Sequence, residues 1–342
     1  MLYVTTRNNA DVYTAHRALE NHRGPDGGLF LPFHAPKFTP EEIAALKEKS
    51  CNQTVAMVLN RMFGTKVSGW DVDFAIGRYP VRVTALGHRI LMGETWHNPD
   101  WNFDRFSKSL MKLLGREEET VAGDWCAIGV RIAVLFGLYG ELLRSETIRE
   151  GEKVDISLVS GEFTSPISAW YARQWGLPIG NIVCCCNENS EIWNLICHGQ
   201  FRTDLLSVPT STPQADVTLP ADLERLICGC GGSDEVQRYL EICRRGGTYT
   251  VSDSLLKKLQ DGLFVSVISS HRIESTIPAA YATHGYLMSA YSALAYAGAL
   301  DYRAKKGAPR QVVVLAEKGP VCDREVICRA MGIPEEKLNV LL

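Results

Sequence analysis

Residues Glu94 to Phe106 read E-T-W-H-N-P-D-W-N-F-D-R-F, and the way the chain enters and leaves this stretch decides the fold. An apolar, strand-like run, Val81 to Met92, feeds into it. Behind it, Phe106, Leu110, Met111, Leu113 and Leu114 fall at helical spacing. A strand that hands over to a helix points backbone N–H groups and side chains into a cleft, so the junction is a natural place for chemistry.

Outward from this junction the same alternation continues. Short β-rich runs at 154–159, 180–186, 263–268 and 311–315 alternate with helical patterns, which predicts an α/β protein with a mainly parallel sheet covered by helices. Asp124 to Leu143 is long and almost continuously apolar, and reads as a buried helix. Thr39-Pro40-Glu41-Glu42 is a helix start: an N-cap, a proline at the first position and acids in the first turn. Asn52 to Phe63 follows as an amphipathic helix with Val55, Val58, Leu59 and Met62 on one face. Asp26-Gly27-Gly28 is a turn leading into a short strand. These segments predict an N-terminal domain over 1–80, ahead of an α/β domain over 81–342.

With 342 residues, 46% hydrophobic and 22% charged, the chain has the composition of a globular protein with a large core. A net charge of −3 gives no electrostatic reason to expect nucleic acid or a membrane surface as partner. No apolar run reads as a membrane span and the first residues lack a signal-peptide core, so the expected compartment is the cytoplasm. Eleven cysteines fit that expectation as reduced thiols. Cys184, Cys185 and Cys186 read as buried strand positions. Cys228 and Cys230 form a C-x-C without a second His/Cys pair at ligand spacing, and no metal site is expected.

The junction resembles the lysine motif of threonine synthases, E-L-F-H-G-P-T-L-A-F-K-D, through Glu94, His97, Pro99 and Phe103. Further segments match the same family in the same order. Y-V-T-T-R and D-G-G-L-F-L-P at the N-terminus resemble its lead-in. Ser160 to Pro178, S-G-E-F-T-S-P-I-S-A-W-Y-A-R-Q-W-G-L-P, is similar to its S-G-N-F-G phosphate loop and following helix. Asn187-Glu188-Asn189, Ala215 to Leu226, and Gly285-Tyr286-Leu287 also follow its pattern. The resemblance implies a pyridoxal-phosphate enzyme of fold type II, tryptophan-synthase-β-like. It also implies a truncated version, because the interval from Phe106 to Ser160 reads only as helix, helix, strand. A βαβ unit of ~30 residues or more does not fit beside those helices, so the family's small lobe is expected to be missing.

Pyridoxal phosphate chemistry needs a lysine amine for the Schiff base, backbone N–H groups to cradle the phosphate, and a polar partner for the pyridine nitrogen. The resemblance places Asp104 at the lysine, and a carboxylate forms no imine. In the phosphate loop Gly161 and Phe163 match, whereas Glu162 replaces Asn and Thr164 replaces Gly. Glu317 stands at the pyridine-nitrogen position, and Ser289 to Ala293 reads S-A-Y-S-A in place of D-P-H-T-A. The implied former cofactor pocket is therefore His97, Asp104, Gly161, Glu162, Phe163, Thr164, Asn187 and Glu317, with Lys108 as candidate for a displaced Schiff-base lysine.

Together these substitutions predict a threonine-synthase-like pseudoenzyme without cofactor, with a binding, regulatory or assembly role. Its partner would be a small molecule, another protein or a second copy of the chain. The alternative is a working pyridoxal-phosphate lyase acting on O-phosphohomoserine or a relative. A third reading is new chemistry, or cation binding, in a cleft made acidic by Asp104, Glu162 and Glu317 with His97 beside them.

Overall fold

A strand buried on both faces has no polar side to display, so it reads as a continuous apolar run. The computed structural model describes residues 1–78, 81–97, 103–116, 121–307 and 309–341, with all their side chains except those of 104–106. Its strands are β1 (Leu2–Thr5), β2 (Tyr13–Thr14), β3 (Phe30–Pro32), β4 (Arg82–Ala85), β5 (Ile90–Glu94), β6 (Val154–Val159), β7 (Ile179–Cys186), β8 (Gln200–Arg202), β9 (Thr248–Thr250), β10 (Leu263–Val267) and β11 (Val312–Ala316). Six form one sheet in the order β10-β7-β6-β11-β5-β4. Every pairing in it is parallel except β4 with β5. The expected mainly parallel α/β architecture is what the chain adopts.

Period-2 alternation divides the core between the two faces of this sheet. Cys184, Cys186, Val313 and Leu315 face one apolar cluster, with the Trp125–Arg144 and Thr164–Gln174 helices. Cys185, Val312, Val314 and Ala316 face the other, with Ser270–His284 and Ala290–Lys306. The three adjacent cysteines are buried strand residues, as their setting in an apolar run predicts.

Three readings need correction. The Val81–Met92 run is a hairpin, with Val83 paired to Gly93 and Ala85 to Leu91. Its turn places Gly87, His88 and Arg89 at φ of 78°, 49° and 60°. Apolar residues on both sides of the turn concealed it, and Gly87 was the available signal. Second, the N-terminal segment forms a three-stranded antiparallel sheet, β2-β1-β3, where only a turn and one strand were expected. Third, the Trp125–Arg144 helix is long and apolar enough, by composition, to cross a membrane, but it is mostly buried inside the protein.

That helix lies between the sheet and the Cys51–Phe63 helix. A Cβ at Gly129 would meet Met62 and Phe63 at 2.8 Å, and one at Gly137 would meet Cys51 Sγ at 2.5 Å. Glycine here permits a close approach of two helices. Thr39 caps the first N-terminal helix as expected, closing a capping box with Glu42; the next helix starts at Cys51, one residue before the expected Asn52, under a second capping box of Ser50 and Gln53. A further helix, Gly69–Ile76, was not anticipated.

Between Phe103 and Ser160 the described residues form two helices, Phe103–Leu113 and Trp125–Arg144, and the strand β6. Parallel strands β5, β6 and β11 all end on the same edge of the sheet, and the crevice outside their carboxyl ends is where open α/β sheets place ligands.

Candidate functional site

The loop that leaves β6 builds one wall of this crevice. Ser160 N–H donates to Cys185 O at 2.8 Å, and Phe163 N–H donates back to Ser160 O at 2.7 Å. Gly161 at φ 42° and Phe163 at φ 66° bend the chain into the Thr164–Gln174 helix. A left-handed conformation costs a side-chain-bearing residue ~1–2 kcal/mol, and the burial of Phe163 offsets it. Gly161, Glu162 and Thr164 line a cavity of about 210 Å³, together with Arg131, Glu317 and Lys318. Phe103, Val159 and Leu315 add apolar surface.

Two of the three acids singled out in the sequence, Glu162 and Glu317, thus line one cavity. The side chain of Asp104 lies outside the described residues. Each described acid is engaged by the chain itself. Glu162 Oε2 accepts from Ala221 N–H at 2.9 Å. Burial pushes its carboxyl above the usual carboxylate range, with the charge of Asp222 adding and the Ala221 amide opposing. Ser165 Oγ donates to both oxygens of Glu317, at 3.0 and 3.2 Å. Arg131 Nε sits 3.3 Å from Glu317 Oε1, and its guanidinium lies over the Phe103 ring at 4.5 Å. The partner of Glu317 is therefore Arg131, on the long core helix, and not the neighbouring Lys318. Lys318 instead rests its ammonium on the Tyr291 ring, 4.1 Å from the centroid.

Thr164 Oγ1 donates to Asp222 Oδ2 at 2.6 Å. Asp222 is fully buried beside Arg225, which also donates to Phe30 O and Gly123 O at 2.9 Å. The hydroxyls of the first two residues of this helix, Thr164 and Ser165, are thus both donated to carboxylates of the chain. The next residue, Pro166, has no N–H.

The remaining sequence candidates go elsewhere. His97 lines a separate cavity, with Val81, Val83, Leu91 and Glu141. Its Nε2 is 2.6 Å from Oε2 of the buried Glu94, an ion-pair distance without hydrogen-bond alignment, and its ring stacks on Trp96. Asn187 is wholly buried and structural: its Nδ2 faces Thr210, Thr212 and Asp216 within 3.0 Å, and its Oδ1 accepts from Asn189 N–H. Lys108 is exposed on the Phe103–Leu113 helix and is not part of the cavity wall. Pro99, which carried part of the motif, lies outside the described residues. Cys228 and Cys230 sit on the Leu223–Gly231 helix, where Cys228 Sγ lies 3.6 Å from Thr6 O.

Sequence reasoning missed Arg131, Ser165, Tyr291 and Lys318. A charged residue inside an otherwise apolar run was the one available signal for Arg131, since a buried arginine needs a partner.

Three comparisons bear on this geometry. Residues 2–77 match the family model described as threonine synthase N terminus. Threonine synthase of Methylobacillus glycogenes is 26% identical over 64% of this chain and 46% of its own length. The human protein named threonine synthase-like 1 is 25% identical over 50% of this chain and 24% of its own. The chain thus spans half or less of the curated relatives it matches. Solved structures agree on the fold. A pyridoxal-phosphate-bound threonine synthase from Brucella melitensis superposes with a TM-score of 0.85 over 97% of this chain and 92% of that one, at 18% identity. Yeast threonine synthase does so with 0.83, over 99% and 93%, at 14%. Residues 2–77 thus carry the threonine synthase N-terminal segment, and the chain as a whole has the threonine synthase fold.

The cofactor of the Brucella protein is a test for this homologue. Two carboxylates stand on the cavity walls, and the Thr164 and Ser165 hydroxyls are donated to acids. A carboxylate about 4 Å from a phosphate would cost ~1–4 kcal/mol per pair of unit charges. The residues of this cavity do not fit a phosphate dianion.

Proposed function

We propose that this threonine synthase homologue is a pseudoenzyme: it has given up pyridoxal phosphate and acts as a binding or regulatory protein. One observation carries the reading. At the loop that resembles the family's phosphate cradle, the chain places its own carboxylates, Glu162 and Glu317, and directs the Thr164 and Ser165 hydroxyls onto Asp222 and Glu317. Asp104 at the family's lysine position points the same way. The two helices and single strand that the described residues form between Phe103 and Ser160 support a shortened second lobe.

A second reading, a pyridoxal-phosphate lyase with a displaced lysine, is favoured by one fact: Lys318 lines the cavity. Lys318 and not Lys108 would then carry the imine. An absorption spectrum of the purified chain with pyridoxal phosphate, followed by borohydride and peptide mapping, separates the two. No imine band and no thermal shift are expected. A band trapped on Lys318 overturns the cofactor-free reading. The third reading, chemistry by His97 with the acids, finds no support in the geometry, because His97 lines a different cavity from Glu162 and Glu317.

A further inference from the structure

Once its internal pairings are made, the cavity presents two charged groups without an ion-pair partner. Arg131 and Glu317 neutralise each other across 3.3 Å. Among the described residues, Glu162 is held by one backbone amide, and Lys318 by an aromatic ring; neither lies within ion-pair distance of an opposite charge. Asp323 feels the charge of Lys318, but its own carboxylate is turned to the backbone of Ala290, whose N–H it accepts at 2.9 Å. Both Glu162 and Lys318 line the same cavity, whose remaining surface includes Phe103, Val159 and Leu315.

Resting on the cofactor-free reading above, we propose that this cavity binds a small zwitterion, one ammonium and one carboxylate on an apolar body, carrying no phosphate. Glu162 receives the ammonium and Lys318 the carboxylate. The apolar walls take the body of the molecule, the usual division of labour in a small-ligand pocket. Size sets the class. A volume of about 210 Å³ holds roughly seven waters at ~30 Å³ each, which suits a molecule of about six to ten non-hydrogen atoms, that of a free amino acid. Charge sets the exclusion. A phosphate would add two negative charges to a space that already holds two carboxylates, with only Lys318 uncommitted. Burial and the nearby Asp222 both disfavour the Glu162 carboxylate, and a ligand ammonium offsets both.

Isothermal titration of the full chain at pH 7.5 tests this with L-valine, L-leucine and L-threonine, each alone. Isobutylamine, which lacks the carboxylate, isovalerate, which lacks the ammonium, and O-phospho-L-serine complete the set. At least one free amino acid is expected to bind saturably. Either single-charge analogue should bind at least about tenfold more weakly, because each leaves one half-buried charge unpaired. O-phosphoserine should be excluded. Glu162→Gln should weaken the amino acid about tenfold while leaving isovalerate unchanged, and Lys318→Met should do the converse with isobutylamine. The ligand analogues keep the test valid if a variant does not fold. Binding by none of the amino acids, binding unaffected by removing either charge, or preference for the phosphorylated compound overturns the zwitterion proposal. The first two outcomes leave the cofactor-free reading untouched, because it is tested separately by the imine band and the thermal shift with pyridoxal phosphate; preference for the phosphorylated compound would count against both.

Discussion

Neutralising Glu317 tests whether the chain has filled the cavity for itself. Glu317→Gln keeps an oxygen that accepts from Ser165 and removes the charge facing Arg131. At 3.3 Å, two unit charges attract by about 5 kcal/mol at an effective dielectric of ~20. Desolvation of both groups cancels much of this, for the side chains retain only 13% and 25% of their exposure. A net coupling of about 1–2 kcal/mol remains, above the ~0.2–1 kcal/mol of exposed pairs. The assay is urea unfolding of the wild type, Glu317→Gln, Arg131→Met and the double variant. A double-mutant cycle subtracts the separate effects, including the Phe103 stacking lost with the arginine. Each single variant should lose about 1–3 kcal/mol, and the double variant should lose less than their sum by the coupling energy. Additive losses, within about 0.3 kcal/mol, would refute the claim that these residues were fitted to each other.

Glu162→Gln should raise stability at neutral pH, because Gln accepts from Ala221 N–H without a buried charge. The folded carboxyl titrates above the unfolded one, so the folded state binds more protons between the two values, and wild-type stability falls as pH rises through the folded pKa. The advantage of the variant should therefore shrink on acidification, read by thermal unfolding from pH 7.5 to 4; an advantage that grows would be the wrong sign. Glu42 behaves oppositely: Arg61 and the Thr39 amide hold its carboxyl down to about 2. Glu42→Gln should cost roughly 0.5–1 kcal/mol at pH 7, a modest figure because the pair is partly exposed, and the deficit should fade as pH falls toward 2. Gly137→Ala would bring a Cβ to 2.5 Å from Cys51 Sγ and should cost about 1–3 kcal/mol in chemical unfolding, whereas Gly64→Ala, with no neighbour within 4 Å, should show only the penalty of its φ of 69°. A neutral or stabilising Gly137→Ala would show that helix approach is not limited at Gly137.

The sequence by itself determined the α/β class, because buried parallel strands must be continuously apolar: 154–159 was located to the residue, and 180–186, 263–268 and 311–315 to within one. It determined the helix start at Thr39 as well, since an N-cap is a contact between neighbours along the chain, and placed the start of the Cys51–Phe63 helix to within one residue. Position 104 could be read as acidic from the sequence, and no folding changes that an aspartate forms no imine. Contacts between residues far apart in sequence were decided by tertiary structure. Glu162 and Glu317 became neighbours because β6 and β11 pair side by side, whereas His97, only three residues beyond the end of β5, was carried to another cavity. Arg131 reached Glu317 across 186 residues because the core helix packs in the same apolar cluster as Val313 and Leu315 of β11, and a pattern of 3.6-residue periodicity shows which residues face inward but not what they meet there. Asn187, matched by motif to a cofactor site, was drawn into a buried amide network with Thr210, Thr212 and Asp216, since a buried amide must find partners and that loop supplies them.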